Sequence, residues 1–164
     1  FLTVTGEVKK PGIVCVPIGT PLSACLEAAG GPTVSDPVFV LGGPMMGHAA
    51  YSVDQPVVKA TNAILAFNKA DSAALEPSAC IHCGRCVENC PLGLNPTAYA
   101  KALDIDDEAE RFAVLEKEKV SMCMECGSCS YVCPARRPLV QNNQKAKGFV
   151  RAYKAQLKEK EGGK

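Results

Sequence analysis

The sequence predicts an α+β chain in two parts, a small sheet-and-helix unit followed by a helical unit built around cysteines. Three observations carry that prediction. A strand–turn–strand–helix pattern opens the chain, and two copies of the run C-x₂-C-x₂-C-x₃-C-P occupy its second half. The stretch between the copies, and the stretch after the second, carry apolar residues at helical spacing.

Phe1–Val8 alternates as a strand, Lys9-Lys10-Pro11-Gly12 forms a turn, and Ile13–Pro17 is the partner strand. A Pro-Gly pair between β-rich runs is a hairpin signal, because proline presets φ and glycine accepts the reversal. Thr20 is the expected N-cap of the helix that follows, with Pro21 at its first position. Leu22, Cys25, Leu26 and Ala29 share one face of it, and Gly30-Gly31 end it. Val38–Leu41 is a third strand leading into Gly42-Gly43-Pro44-Met45-Met46-Gly47, read as a tight hairpin corner. A hairpin, a helix and returning strands make a β-grasp arrangement over residues 1–52. Residues 53–76 are expected to be connecting strands and linker, with short strands at Pro56–Val58 and Ala63–Phe67. The polar stretch from Asp71 to Ser78 marks the boundary.

The cysteine runs are Cys80, Cys83, Cys86, Cys90 and Cys123, Cys126, Cys129, Cys133, closed by Pro91 and Pro134. All of these positions, and Gly84 against Gly127, repeat at an offset of 43 residues. This spacing wraps a [4Fe–4S] cluster, so the chain is expected to hold two of them. Three cysteines spaced by two lie on a tight loop and converge on one face of a cubane. Gly84 and Gly127 sit inside those loops, where the backbone needs unusual φ angles. The fourth cysteine of each run cannot bend back to the same cube and reaches the other one. The expected ligands are therefore Cys80, Cys83, Cys86 and Cys133 for the first cluster, and Cys123, Cys126, Cys129 and Cys90 for the second. Structural zinc has no use for a third and fourth cysteine with proline in each run, and disulfide scaffolds are small secreted domains. Cys15 and Cys25 stand among apolar residues and read as small buried hydrophobes.

Asn95-Pro96 starts a helix carrying Tyr99, Ala102 and Leu103, and a second runs from Asp106 to about Val120 with Phe112 and Leu115 on successive turns. Asp106, Asp107 and Glu108 suit its positive N-terminus. With a helical insert of this kind, residues 77–142 resemble the α-helical type of two-[4Fe–4S] (dicluster) ferredoxin domain. Leu139 to Lys160 reads as a terminal helix with an apolar stripe of Phe149, Tyr153 and Leu157. Residues 143–164 form its basic part, through Lys145, Lys147, Arg151, Lys154 and Lys158, ending at Gly162-Gly163. His82 and Arg85 inside the first loop either face solvent or tune its cluster through charge and N–H···S bonds. Met122 and Met124 are read as apolar shielding, Arg136 and Arg137 as a solvated patch or an acidic-partner contact, and His48 as an ordinary side chain.

The chain has 18 basic and 17 acidic residues, a formal charge of +1, which gives no electrostatic footprint for nucleic acid. No run of eighteen apolar residues is present to span a bilayer. Reduced thiols and cluster assembly favour the cytosol or the cytosolic face of a membrane. Phe1 is not a start methionine and already belongs to a strand pattern, so the chain is expected to be a piece of a longer protein.

Taken in order, several segments resemble one family. They are Thr3-Val4-Thr5-Gly6 with Pro11-Gly12, Pro17–Leu22, Gly42–Gly47, Thr61–Leu65, the paired cysteine runs, and Pro138-Leu139-Val140-Gln141. Over about residues 1–142 they resemble the C subunit of the Rnf complex, with its soluble-ligand-binding β-grasp (SLBB) domain. The resemblance implies an ion-translocating ferredoxin:NAD⁺ oxidoreductase in which this stretch relays electrons through two clusters. It implies a peripheral position on the cytoplasmic face of the cell membrane, with the other Rnf subunits as partners. FMN and NAD(H) would bind an upstream domain, and no G-x-G-x-x-G or P-loop occurs here. The stretch itself shows no substrate site, so whether it acts as an enzyme stays open. The cobalamin reductase of propanediol-utilising microcompartments resembles the same family and is an alternative, as is a soluble ferredoxin-like carrier.

Overall fold

The chain divides into two compact units, Phe1–Ala74 and Leu75–Lys164. The computed structural model describes residues 1–70, 72 and 76–162, so half of the expected 71–78 boundary, and Gly163, lie outside the described residues.

In the first unit, β1 (Leu2–Gly6) and β2 (Gly12–Val14) form the expected antiparallel hairpin, with Leu2 opposite Val14 and Val4 opposite Gly12. Helix α1 (Leu22–Ala28) follows, then β3 (Pro37–Leu41), β4 (His48–Ala49) and β5 (Ala63–Asn68). The sheet order is β2-β1-β5-β3-β4, with β1 and β5 parallel and the remaining pairs antiparallel. The architecture is α+β, and the mixed sheet has β5 at its centre. The sheet continues past residue 52, because one of the connecting strands expected over 53–76 is β5, which joins β1 to β3. Pro56 makes only an isolated bridge with Pro21, while Val57 beside it is buried.

Alternation along β1 turns Leu2 and Val4 inward, where Ile64 and Ala66 of β5 and Leu22, Cys25 and Leu26 of α1 complete one apolar core. Val4, Leu22 and Ile64 are wholly buried, and each such side chain stabilises by roughly 1.5–3 kcal/mol. At Gly6 (φ +90°) an added Cβ would lie 2.1 Å from the Ala66 carbonyl oxygen, so the close approach of β1 to β5 requires glycine there.

Two local expectations change. Thr20 does not cap α1: its hydroxyl donates to the Pro17 carbonyl at 2.8 Å, and Pro21 is the cap residue. The first helical N–H groups donate instead to the carbonyls of Gln55 (3.0 Å, from Leu22) and Val53 (2.9 Å, from Ser23). Cys15 is exposed, whereas Cys25 is buried as expected. Val14 and Val16 on either side of it pack against the core, and Cys15, one residue past the end of β2, is turned the other way.

In the second unit, α2 (Arg85–Glu88) and α5 (Ser128–Tyr131) are single turns within the cysteine runs. Helices α3 (Pro96–Ala102), α4 (Glu108–Lys117) and α6 (Leu139–Gly162) pack against one another, with a 3₁₀ turn at Val120–Met122. Asn95 caps α3 by accepting from the Ala98 N–H at 3.3 Å, and Asp107 caps α4 by accepting from the Glu110 N–H at 2.6 Å. Tyr99 is wholly buried among Leu94, Ala102, Leu115, Val120, Ala146 and Val150, and its hydroxyl donates to the Glu118 carbonyl at 2.9 Å. The expected stripe of α6 shifts: Leu139, Asn143, Ala146 and Val150 are among its buried residues, while Leu157 is exposed. Tyr153 lies against Phe112 in a tilted arrangement, 4.7 Å between ring centroids. The division at residue 142 falls within this continuous helix.

Candidate metal centres

The two cysteine runs fold alike because their backbones need the same unusual conformations. Gly84 (φ +79°) and Gly127 (φ +83°) are the cap residues before α2 and α5. Left-handed backbone recurs at the same 43-residue offset in His82 (φ +55°) and Glu125 (φ +58°), and in Gly93 (φ +61°) and Arg136 (φ +53°). Three non-glycine residues thus occupy a region that L residues rarely adopt. Such strain persists where the surroundings over-determine it, as at functional loops.

One cavity is lined by Cys80, Cys83, Cys86 and Cys133, with His82 and Arg137 beside them. A second is lined by Cys90, Cys123, Cys126 and Cys129, with Met124 and Asn143 beside them. Each gathers three thiols from one run and the fourth from the other. Including the space at their mouths, the cavities measure about 550 and 360 Å³. Among the described residues, no three His, Cys, Asp or Glu side chains close on a single metal ion. Four soft sulfur donors spread round an open space suit a cubane.

The first cavity is the more open: Cys83 is exposed and Cys86 buried, whereas in the second no cysteine is exposed and Cys129 is buried. Burial pushes the Cys86 thiol above its ordinary value, and the neighbouring Cys133 and Cys80 add to the shift. Burial likewise pushes Cys129 up to about 11, with Cys123 and Cys126 contributing. Cys126 moves the other way, first because Ser128 lies 3.4 Å from its sulfur. Buried thiols of this kind give up their protons when a metal replaces them.

Side chains from α6 reach the second site. Asn143 Nδ2 donates to Cys123 Sγ at 3.5 Å and, more weakly, to Cys129 Sγ at 3.9 Å. Lys147 donates to the Cys123 carbonyl at 2.7 Å and pairs with Glu125, whose carboxyl it holds below its usual range. The Glu125 N–H donates to Cys123 Sγ at 3.4 Å. Amphipathic patterning puts Lys147 on a solvated basic face and gives Asn143 no role, so neither is found that way. The 43-residue repeat is the signal that exposes both, since Ala100 and Asp104 stand at the matching positions of the first half. His82 and Arg85 are exposed, Arg136 is exposed, and Arg137 lines the first cavity. Met122 and Met124 are largely exposed and are poor shields. His48 lies on β4, exposed.

Residues 1–49 match the SLBB domain family, and residues 76–137 match the 4Fe-4S dicluster domain family. Fold and site together define an electron-transfer chain in which an SLBB domain precedes a domain for two [4Fe–4S] clusters. The chain is 40% identical, over 90% of its length, to the C subunit of the ion-translocating oxidoreductase complex of Rhodobacter capsulatus. It is 39% identical, over 62% of its length, to the C subunit of the Na⁺-translocating ferredoxin:NAD⁺ oxidoreductase complex of Acetobacterium woodii. To a cobalamin reductase of Salmonella typhimurium it is 34% identical over 92%. The chain spans 28%, 23% and 37% of these relatives' own lengths. It is a homologue of the C subunits of Rnf-type complexes. Among the described residues, no helix is long and apolar enough to cross a membrane.

Proposed function

We propose that this chain is the electron-relay part of the peripheral subunit of an Rnf-type ion-translocating ferredoxin:NAD⁺ oxidoreductase. The observation that carries the reading is the pair of four-thiol cavities, each completed by a cysteine from the other run. Cys80, Cys83, Cys86 and Cys133 hold the first cluster, and Cys123, Cys126, Cys129 and Cys90 hold the second. When bound, each cluster supplies a one-electron site.

The chain's own residues set the relay geometry. The single turn α2 carries Cys86 and leads directly to Cys90, so one short segment ties the two sites together. The turn α5, carrying Cys129 and leading to Cys133, does the same from the other run. Two short tethers keep the sites close, which electron exchange requires. The buried faces of Cys86 and Cys129, packed with Ala100, Leu139 and Val140, exclude water between them. The SLBB unit contributes a docking surface. The partners in this reading are the membrane subunits at the cytoplasmic face and an upstream FMN- and NAD(H)-binding domain; the relatives' names support only membership of a multisubunit ion-translocating oxidoreductase complex.

Iron and acid-labile sulfide analysis of anaerobically prepared protein, with EPR after dithionite reduction, tests the reading. About eight irons and interacting reduced cubanes are expected for two such clusters; zinc, or a single cluster, overturns it. Cys133→Ser should damage the first cluster and spare the second, and loss of the second alone would refute the cross-ligation. A second reading, delivery of electrons to a corrin cobalt, is favoured by the similarity to a cobalamin reductase over 92% of the chain. Rapid cluster oxidation by aquacobalamin, without co-purification with membrane subunits, would select it.

A further inference from the structure

The two halves of the cluster domain repeat in backbone but not in what surrounds the sulfurs. The Val87 N–H donates to the Gly84 carbonyl in the first half, and the Ser130 N–H to the Gly127 carbonyl in the second. These two donors match at the 43-residue offset and so cancel in any comparison. Asn143 does not cancel. Its counterpart is Ala100, which packs with Cys86 and has nothing to donate. Among the described residues, no side chain donates to a first-site sulfur, whereas at the second site the Asn143 amide reaches two sulfurs, beside the Glu125 N–H on Cys123 Sγ and the Ser128 hydroxyl 3.4 Å from Cys126 Sγ.

Asn143 is 2% exposed, and its Oδ1 has no hydrogen-bond partner. A buried amide with an orphaned oxygen is unfavourable by itself, so the other end of the group must compensate. Thiolates only accept, which turns the NH₂ and not the oxygen toward sulfur. The bond to Cys123 gains strength from the charge on sulfur, and that charge grows when the site takes an electron.

We propose that Asn143 is a potential-setting residue that holds the second cluster's reduction potential up. This rests on the ligand sets given under Proposed function. Burial opposes it: the second site is less exposed than the first, and exclusion of water disfavours the more negative reduced state. Together with the Glu125 N–H on the same sulfur, the amide offsets a desolvation that would otherwise leave the second site the harder to reduce. Other charges do not replace it. Lys147 beside Cys123 is neutralised by Glu125. His82, Lys101, Asp104 and Arg137, which line a cavity next to Cys80, are of mixed sign and mostly exposed, hence screened.

The test is an EPR-monitored redox titration of the anaerobic two-cluster protein and of Asn143→Ala and Asn143→Leu, the latter retaining volume. Loss of the donor should lower the equilibrium constant for reducing the second site roughly tenfold, a shift of about 59 mV for a one-electron couple. The other step should stay in place. Cys83→Ser, which disables the first site, identifies the steps: the one lowered in the Asn143 variants must be the one retained in Cys83→Ser. Unmoved potentials with both clusters present overturn the proposal, as does a drop in the step that Cys83→Ser removes. Loss of the second cluster in both Asn143 variants overturns it in favour of a purely structural role. If the unmodified protein lacks two clusters, the ligand assignment fails instead.

Discussion

In the first unit Val4, Leu22, Cys25 and Ile64 are wholly buried in one apolar core joining sheet and helix. In the second, buried side chains divide into two groups, and the cysteines proposed as cluster ligands belong to both. Cys90 and Cys123 pack beside Tyr99, Leu115 and Val150, and Cys86 and Cys129 beside Leu139 and Val140. A core of hydrocarbon is complete once the chain has folded. A core edged by thiols is not, because burial raises Cys86 and Cys129 away from the thiolate form until metal displaces their protons. The first unit is therefore expected to draw its stability from area removed from water, and the second from packing linked to cluster loading.

Removing the metal is the strongest way to break this comparison. Stripping iron with a chelator should abolish most of the protection of α3, α4 and α6 in amide hydrogen exchange while the β1–β5–β3 ladder stays protected. Equal loss in both units would mean that the sheet, too, depends on the clusters. A cavity in the hydrocarbon core should do the reverse. Ile64→Ala should cost the first unit about 2–5 kcal/mol, read by denaturant unfolding, with the visible absorption of the clusters unchanged. Bleaching of that absorption alongside the sheet would couple the two units. The smallest effect sharpens the boundary between local and linked stability. Asn95→Ala removes the acceptor for the Ala98 N–H and should cost about 1 kcal/mol, seen as faster exchange at the start of α3. Cluster content should be retained, and its loss would make this cap part of the metal-binding framework.

Much of the second unit is legible in the sequence because its determinants act over a few residues. Thiol spacing, the left-handed Gly84 and Gly127, and the caps Asn95 and Asp107 are all decided locally. The Pro11-Gly12 hairpin is legible for the same reason. The expected Thr20 cap fails because carbonyls more than thirty residues onward, on Val53 and Gln55, satisfy the same N–H groups. Cys15 misleads because its neighbours are apolar, although it is turned outward one residue past the end of β2. The apolar stripe of α6 is displaced because Asn143, a polar residue, occupies a core position facing sulfur.

Residue order alone dictates that two cubane-binding runs exist, that a hairpin and helix precede them, and that helices lie between and after them. Short-range sterics and coordination chemistry leave little choice in those features. Long-range packing settles that Ala63–Asn68 forms the centre of the sheet, and that each cavity gathers a cysteine from the opposite run. It also settles that Asn143 and Lys147 attend one site while Ala100 and Asp104 occupy the matching positions of the other half. Those outcomes depend on contacts between residues far apart in the chain. Each pairing is selected by burial and hydrogen-bond satisfaction across the whole unit rather than by the propensity of any one segment.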